Sequence, residues 1–136
     1  MEANGLLTRL WRVQRRLLEH ARPCLEKLGT GPKHVFLLAQ AARGKNPGEI
    51  ARTLHLSPPS VSHLLGDLEG RGWIRRRPDP KDRRRLVPEL TAEGHRLLEE
   101  ARRCLEAASA SLLERLDPAE RRSLLLLLAK LEEADD

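Results

Sequence analysis

The stretch PGEIARTLHLSPPSVSHLLGDLEGRG, residues 47–72, runs straight into WIRRRPDPKDRRRLVPELTAEG, residues 73–94, and these 48 positions decide the fold. Ile50, Ala51 and Leu54 are the apolar positions of one short amphipathic helix, and Val61, Leu64, Leu65 and Leu68 those of a second. Ser57 marks the break between them. Its hydroxyl can accept from the backbone N–H groups of the next turn, and Pro58 has no N–H to lose and a φ suited to a first helical position. A new helix is therefore expected over residues 58–71. Two helices joined by so tight a turn cross steeply, the helix-turn-helix arrangement that offers its second helix to a major groove.

The next residues read as a β-hairpin. Trp73–Arg77 and Arg83–Leu90 are strand candidates, and Pro78-Asp79-Pro80-Lys81-Asp82 between them is turn chemistry, because proline presets φ and each Asp can bond the backbone ahead of it. Residues 71–85 hold eight Lys or Arg against two Asp, a net of +6 in a chain whose total is +5, so everything else sums to −1. Such a run repels itself unless an anion neutralises it. A cationic hairpin beside a helix-turn-helix is the footprint of a winged helix gripping phosphates.

The length of 136 residues suits a single domain, 1–136, and leaves no room for a second independent core. A sequence pI near 9.9 favours a polyanionic partner. No apolar run approaches the ~20 residues that span a bilayer. Arg9, Arg12, Arg15 and Arg16 interrupt the leucines of the N-terminus where an export signal needs an unbroken apolar core, so a cytoplasmic protein is expected. Cys24 and Cys104 have no CxxC spacing, and reduced thiols are the default expectation. Twenty of the 25 basic residues are Arg, which with nine prolines suggests a heat-adapted or GC-rich source.

Outside the central stretch the pattern is helical. Leu6, Leu10, Val13, Leu17 and Ala21 recur at three- and four-residue spacing, predicting a long first helix from about Asn4 to Leu28 that Pro23 can bend or split. Gly29-Thr30-Gly31-Pro32 is a stop followed by a start, and Val35, Leu38, Ala39 and Ala42 give a second helix with Phe36 in the core. GTGPK lacks the GxxxxGK[ST] spacing and a preceding strand, so it is a helix boundary and no phosphate loop. Thr91 is an N-cap with Glu93 in the first turn, and Leu97, Ala101, Cys104, Leu105, Ala108 and Leu112 trace one stripe behind it. Asp117-Pro118-Ala119-Glu120 is a capping box that opens the last helix. Leu124 to Leu128 are consecutive there, and five consecutive residues point all round a helix, so an outside partner must cover them. The simplest is a second copy. The expected fold is mainly α with a small β-hairpin wing: a winged helix-turn-helix lobe over 32–90, with N- and C-terminal dimerisation helices over 1–28 and 92–133.

The order helix, helix, helix-turn-helix, basic hairpin with DPKDRR, then LTAEG opening a long helix resembles the MarR family of winged-helix transcriptional regulators across nearly the whole chain. That family's wing carries Asp-x-Arg-Asp-x-Arg. Asp79, Asp82 and Arg84 match, whereas Lys81 stands where Arg is usual, keeping the charge and losing the planar fork. The resemblance implies a homodimer on a pseudo-palindromic operator, usually a repressor released by a small ligand or an oxidant. It also makes Arg84 the residue for minor-groove insertion, positioned by Asp82.

With Val61, Leu64, Leu65 and Leu68 turned inward, the outward arc of the second helix centres on Pro59, His63, Gly66 and Gly70. The expected DNA contacts on this helix are Ser57, Pro59, Ser60, Ser62, His63 and Gly66; Asp67 would repel phosphates and is expected to cap or orient a neighbour. On the wing they are Arg75, Arg77, Lys81, Asp82, Arg83, Arg84 and Arg85, with Lys81 and Arg83 on phosphates. Arg75, Arg76 and Arg77 alternate across a strand, so both faces receive one. The partners expected are double-stranded DNA, a second copy, and a small aromatic or apolar ligand in a cleft near Trp11 and Phe36; no cofactor is expected.

Catalysis has no support, since His20, His34, His55, His63 and His95 form no HExxH or HxxxH set and no Ser or Cys has a triad around it. Glu19, His20 and Cys24 share a helix and could recruit a metal, but a structural Cys beside two surface residues explains them as well. Family members that sense peroxide resemble one another in pairing the reactive Cys with tyrosines, and this chain has none. The alternative function is a winged helix for constitutive DNA binding, or for protein or RNA contact, without a ligand. RNA binders stack bases on aromatics, and only Trp11, Trp73 and Phe36 are present.

Overall fold

Proline opens four of the six helices, because a first helical position loses nothing by lacking an N–H. The computed structural model describes residues 3–133, in the order α1 (Ala3–Lys27), α2 (Pro32–Ala42), α3 (Pro47–Leu54), α4 (Pro58–Gly70), β1 (Ile74–Pro78), β2 (Leu86–Leu90), α5 (Ala92–Leu113) and α6 (Pro118–Glu132). Residues 1–2 and 134–136, the ends of the expected 1–136 domain, lie outside the described residues. Side chains close most of the N-termini. Asn46 and Glu49 exchange bonds of 2.9 and 3.1 Å at α3, and Asp117 and Glu120 do the same at α6. Ser57 accepts from Ser60 N–H at 3.2 Å, and Thr91 from Gly94 N–H at 3.1 Å. Pro23 lies inside α1 and does not split it.

One core joins Ala21 and Leu25 of α1 to Leu37 and Leu38 of α2, Ile50 of α3, Leu65 and Leu68 of α4, Ile74 and Leu90 of the hairpin, and Leu97, Ala101 and Cys104 of α5. Two expectations about α2 are corrected. Its buried face is Val35, Leu37, Leu38 and Ala41, with Ala42 exposed, and Phe36 is only half-buried, outside the core. The reason is the partner: α2 packs on β2, α3, α4 and α5 together and needs a wider apolar face than a single stripe supplies.

β1 and β2 pair antiparallel with Ile74 opposite Leu90 and Arg75 opposite Glu89. The second strand begins at Leu86 and not at Arg83, because the two turn aspartates take the backbone first. Asp79 accepts from Lys81 N–H at 2.9 Å and Asp82 from Arg84 N–H at 3.1 Å, and a 2.9 Å bond from Arg85 N–H to Asp82 O closes the tip. Thr91 ties the wing to α5. Its N–H donates to Trp73 O at 3.0 Å and its hydroxyl to Gly72 O at 2.6 Å. Gly94 sits so close beneath that a Cβ would meet Trp73 O at 2.0 Å, which accounts for the glycine of LTAEG.

The reduced-thiol expectation is corrected as well. α1 packs lengthwise on α5, so cysteines 80 residues apart in sequence have Cα atoms 5.7 Å apart and form a disulfide. α6 buries no residue of its own. Arg121 Nε donates to Leu113 O and Leu116 O at 2.8 and 2.9 Å, fixing the corner from which α6 departs. Leu125, Leu126, Leu127 and Leu131 are exposed along it, as are Leu6, Leu7, Leu10, Trp11 and Val13 on α1.

Candidate nucleic-acid interface

The turn between α3 and α4 is three residues long. His55 adopts the left-handed conformation at φ 54°, which lets Leu56 N–H reach Ala51 O at 3.0 Å and stops α3 before Ser57 caps α4. Val61, Leu65 and Leu68 anchor α4 in the core, with Leu64 half-buried beside them. The opposite arc is open. Ser57, Pro59, Ser60, Ser62, His63 and Gly66 are all exposed. Ser57 Oγ and Ser60 Oγ bond each other at 2.8 Å, whereas Gly66 has nothing within 4 Å of the place a Cβ would occupy. The fold itself therefore does not demand a glycine at 66. Close approach of another molecule would.

The wing's charge is partly answered from within, which corrects the expectation that only an external anion could neutralise it. Arg75 Nη2 lies 3.2 Å from Glu89 Oε1, and Arg77 bonds the other oxygen of the same carboxylate. These two bonds, Arg77's first and Arg75's second, hold the Glu89 carboxyl below its ordinary value of 4.5. Arg76 faces the other way, 3.9 Å from Glu69 of α4, so the three arginines do divide between the two faces. Arg85 reaches the buried Asp79 at 3.5 Å and Asp82 at 3.8 Å. Arg84 Nε donates to Asp82 at 3.3 Å, yet its side chain is 92% exposed at the tip. Among the described residues Lys81 and Arg83 join no ion pair, and both are exposed.

Asp67 does not face outward unpaired. His34 Nε2 lies 2.7 Å from Asp67 Oδ2, and Arg71 Nε 3.4 Å from the same oxygen. The bond to His34 foremost, and then Arg71, outweigh desolvation and keep the Asp67 carboxyl below its ordinary value of 3.8. Arg71, counted in sequence with the basic wing, turns back instead and donates to Gly29 O at 2.5 Å. Neither His34 nor Glu89 is marked as functional by local pattern. The cross-strand register is the signal that could have found Glu89, while nothing in one helix announces a partner 33 residues away for His34.

The two ligand candidates are not brought together. Trp11 lines an open groove of about 320 Å³ with Gln14, Arg15, Leu18, Glu19 and Arg22, all on α1, and Phe36 is not among its walls. The Glu19, His20 and Cys24 set loses its thiolate to the disulfide, and no cluster of metal-ligating side chains occurs among the described residues.

A helix-turn-helix with an exposed polar arc and a cationic wing beside it defines the winged-helix class of DNA reader. Residues 30–85 match the MarR family model. The transcriptional repressor MprA of Escherichia coli K12 is 35% identical over 100 residues, 70% of this chain and 57% of MprA, so the chain spans little more than half the length of that relative. CouR from Rhodococcus jostii RHA1, solved bound to p-coumaroyl-CoA, superposes with a TM-score of 0.79 at 27% identity, over 99% of this chain and 96% of its own. Rv2887, a MarR family protein of Mycobacterium tuberculosis solved with DNA, gives 0.79 at 26% over 98% and 99% of the two chains. Its complex with p-aminosalicylic acid gives 0.78 at 28%, over 98% and 100%. Residues 30–85 thus carry the winged helix-turn-helix of the MarR family, the chain over nearly its whole length is similar to a solved member of that family, and the mainly α fold with a hairpin wing is the one expected from sequence.

Proposed function

We propose that the chain acts in the cytoplasm as a homodimeric repressor that reads a pseudo-palindromic operator and releases it when a small ligand binds. The carrying observation is the exposed arc of α4, with its sterically unforced Gly66, standing beside a wing whose tip presents Arg84, Lys81 and Arg83. α4 enters the major groove, where His63 and the serines meet base edges, and Arg84 enters the adjacent minor groove. The exposed leucines of α1 and α6 form the dimer base; an apolar surface of this extent is costly in water for a monomer. No helix among the described residues is long and apolar enough to cross a membrane.

For the ligand, the groove around Trp11 offers an aromatic ring flanked by Arg15 and Arg22, which suits an aromatic carboxylate. Rv2887, solved with p-aminosalicylic acid, supports that chemical class, and CouR, solved with the thioester p-coumaroyl-CoA, supports an aromatic ligand more broadly. Such a compound need only prefer a dimer whose reading helices are wrongly spaced, since the coupling equals its differential affinity for the two states. Fluorescence anisotropy with labelled duplex tests the reading. A duplex selected by the protein should bind in a salt-dependent manner and be released by an aromatic acid. Binding that no such acid alters leaves a constitutive DNA binder, and absence of binding contradicts the whole proposal.

A further inference from the structure

We propose that His34, Asp67 and Arg71 are positioning residues for operator reading: they form a strut that sets the angle of α4 against α2 and the end of α1 without touching DNA. The inference rests on the DNA-reading function proposed above. Asp67 lies one turn beyond His63, on a side of α4 next to the outward arc. A free carboxylate there would repel the phosphate backbone. Instead the same oxygen, Oδ2, faces His34 Nε2 at 2.7 Å and Arg71 Nε at 3.4 Å.

Each partner leads to a different element. His34 is in the first turn of α2, between Lys33 and the buried Val35, with only 21% of its side chain exposed. Arg71 follows the last residue of α4, stacks over the Trp73 ring at 5.2 Å, and reaches Gly29 O at 2.5 Å. Gly29 adopts φ +74°, and its turn is held to α1 by bonds from Gly29 N–H to Glu26 O and from Thr30 N–H to fully buried Leu25 O. A guanidinium at that place also meets the negative end of the α1 dipole. Four segments are therefore linked through the Asp67–Arg71 pair: α2 through His34 on Asp67, the terminal turn of α1 and the start of the wing through Gly29 and Trp73 on Arg71, and α4 itself. Tilting α4 would pull Asp67 from His34 and Arg71 from Gly29 O at once, whereas the core beneath, made of Val61, Leu65 and Leu68, has no directional contacts to resist rotation.

The test compares affinity for a duplex enriched by the wild-type chain from a randomised pool with affinity for the unselected pool. His34→Ala and Asp67→Ala should each lower the ratio of the two about tenfold, and the double variant should lose no more than the worse single one, because one interaction is removed. His34→Gln, which retains a donor near the position of Nε2, should stay close to wild type. The salt slope should not change, since no phosphate contact is lost. Equal changes on both duplexes, additive losses, a rise in the ratio or a flattened slope would overturn the proposal. Arg71→Lys covers the case in which the alanine variants fail to fold. It keeps the charge at an exposed site but loses the fork, so the ratio must fall, and a wild-type ratio overturns the strut. If the wild-type chain binds neither duplex, the DNA-reading function fails and the strut with it; wild-type selectivity that survives every variant sinks the strut alone.

Discussion

Arg84 and Lys81 sit three residues apart on the wing and should fail differently when truncated. Arg84 is the tip residue whose guanidinium Asp82 orients, so Arg84→Ala should weaken operator binding by roughly 1–3 kcal/mol. Lys81→Ala should lower affinity on every duplex alike and reduce the salt slope by about one. Titrations at several salt concentrations separate the two, and unchanged isotherms in both would mean the wing does not touch DNA. Glu89 offers a third check. Its carboxyl titrates below 4.5 in the folded chain because Arg77 and Arg75 bond the ionised form, so its contribution is present above that value and lost as pH falls through the folded one. Near neutrality nothing should change. In acid the hairpin should loosen, and Glu89→Gln should remove that step from wing chemical shifts followed by NMR. The exposure of the α4 arc was legible from a single stripe of leucines, because burial of one face dictates the other. The direction of Arg71 was not, since a charge counted along the chain does not reveal that a glycine carbonyl 42 residues earlier lies within reach.

Helices announced themselves through their caps, and the elements the sequence placed least well are those whose ends depend on competition. β2 starts late because Asp79 and Asp82 capture the backbone of residues that strand propensity would have extended. The Gly94 contact makes a sharp prediction about how wing and α5 are joined: Gly94→Ala puts a methyl 2.0 Å from Trp73 O and should cost about 1–3 kcal/mol, read by denaturant unfolding. Thr91 would lose its bonds to the wing base in the same displacement. The disulfide joins α1 to α5 across 80 residues, and a loop of that length constrains the unfolded chain by about 4 kcal/mol in the entropic account. Reduction, or Cys24→Ser, should therefore lower unfolding stability by up to that amount, with the fold retained at low temperature. Equal stability with and without reductant would show that the bridge carries no weight. Cysteine spacing could not reveal this bond, because its closeness is created by the packing of two helices at opposite ends of the chain. Disulfides are uncommon in reducing compartments except in heat-adapted organisms.

The molecule as a whole combines a helix-turn-helix and cationic wing with helices that leave leucine uncovered. α6 has no buried residue among the described ones, and Leu6, Leu7, Leu10, Trp11 and Val13 of α1 are exposed too, so two helices keep apolar side chains that the chain's own core does not cover. That much followed from five consecutive leucines, which no single face can bury. The geometry of the partnership did not, since it belongs to a surface between chains. Replacing Leu126 by Glu should convert a dimer to a monomer and abolish high-affinity operator binding while leaving α4 and the wing intact, as judged by retained weak binding to unselected DNA. The central claim is that two heads, rigidly joined, read two half-sites about one helical turn, ~10 bp, apart. The most direct measurement is the mass of the complex by sedimentation on the selected duplex, repeated after half a turn is inserted between the half-sites. Two chains should sit on each duplex, already paired before DNA is added, with affinity lost when the half-sites are rotated to opposite faces. One chain per duplex, or affinity indifferent to the insertion, would contradict it.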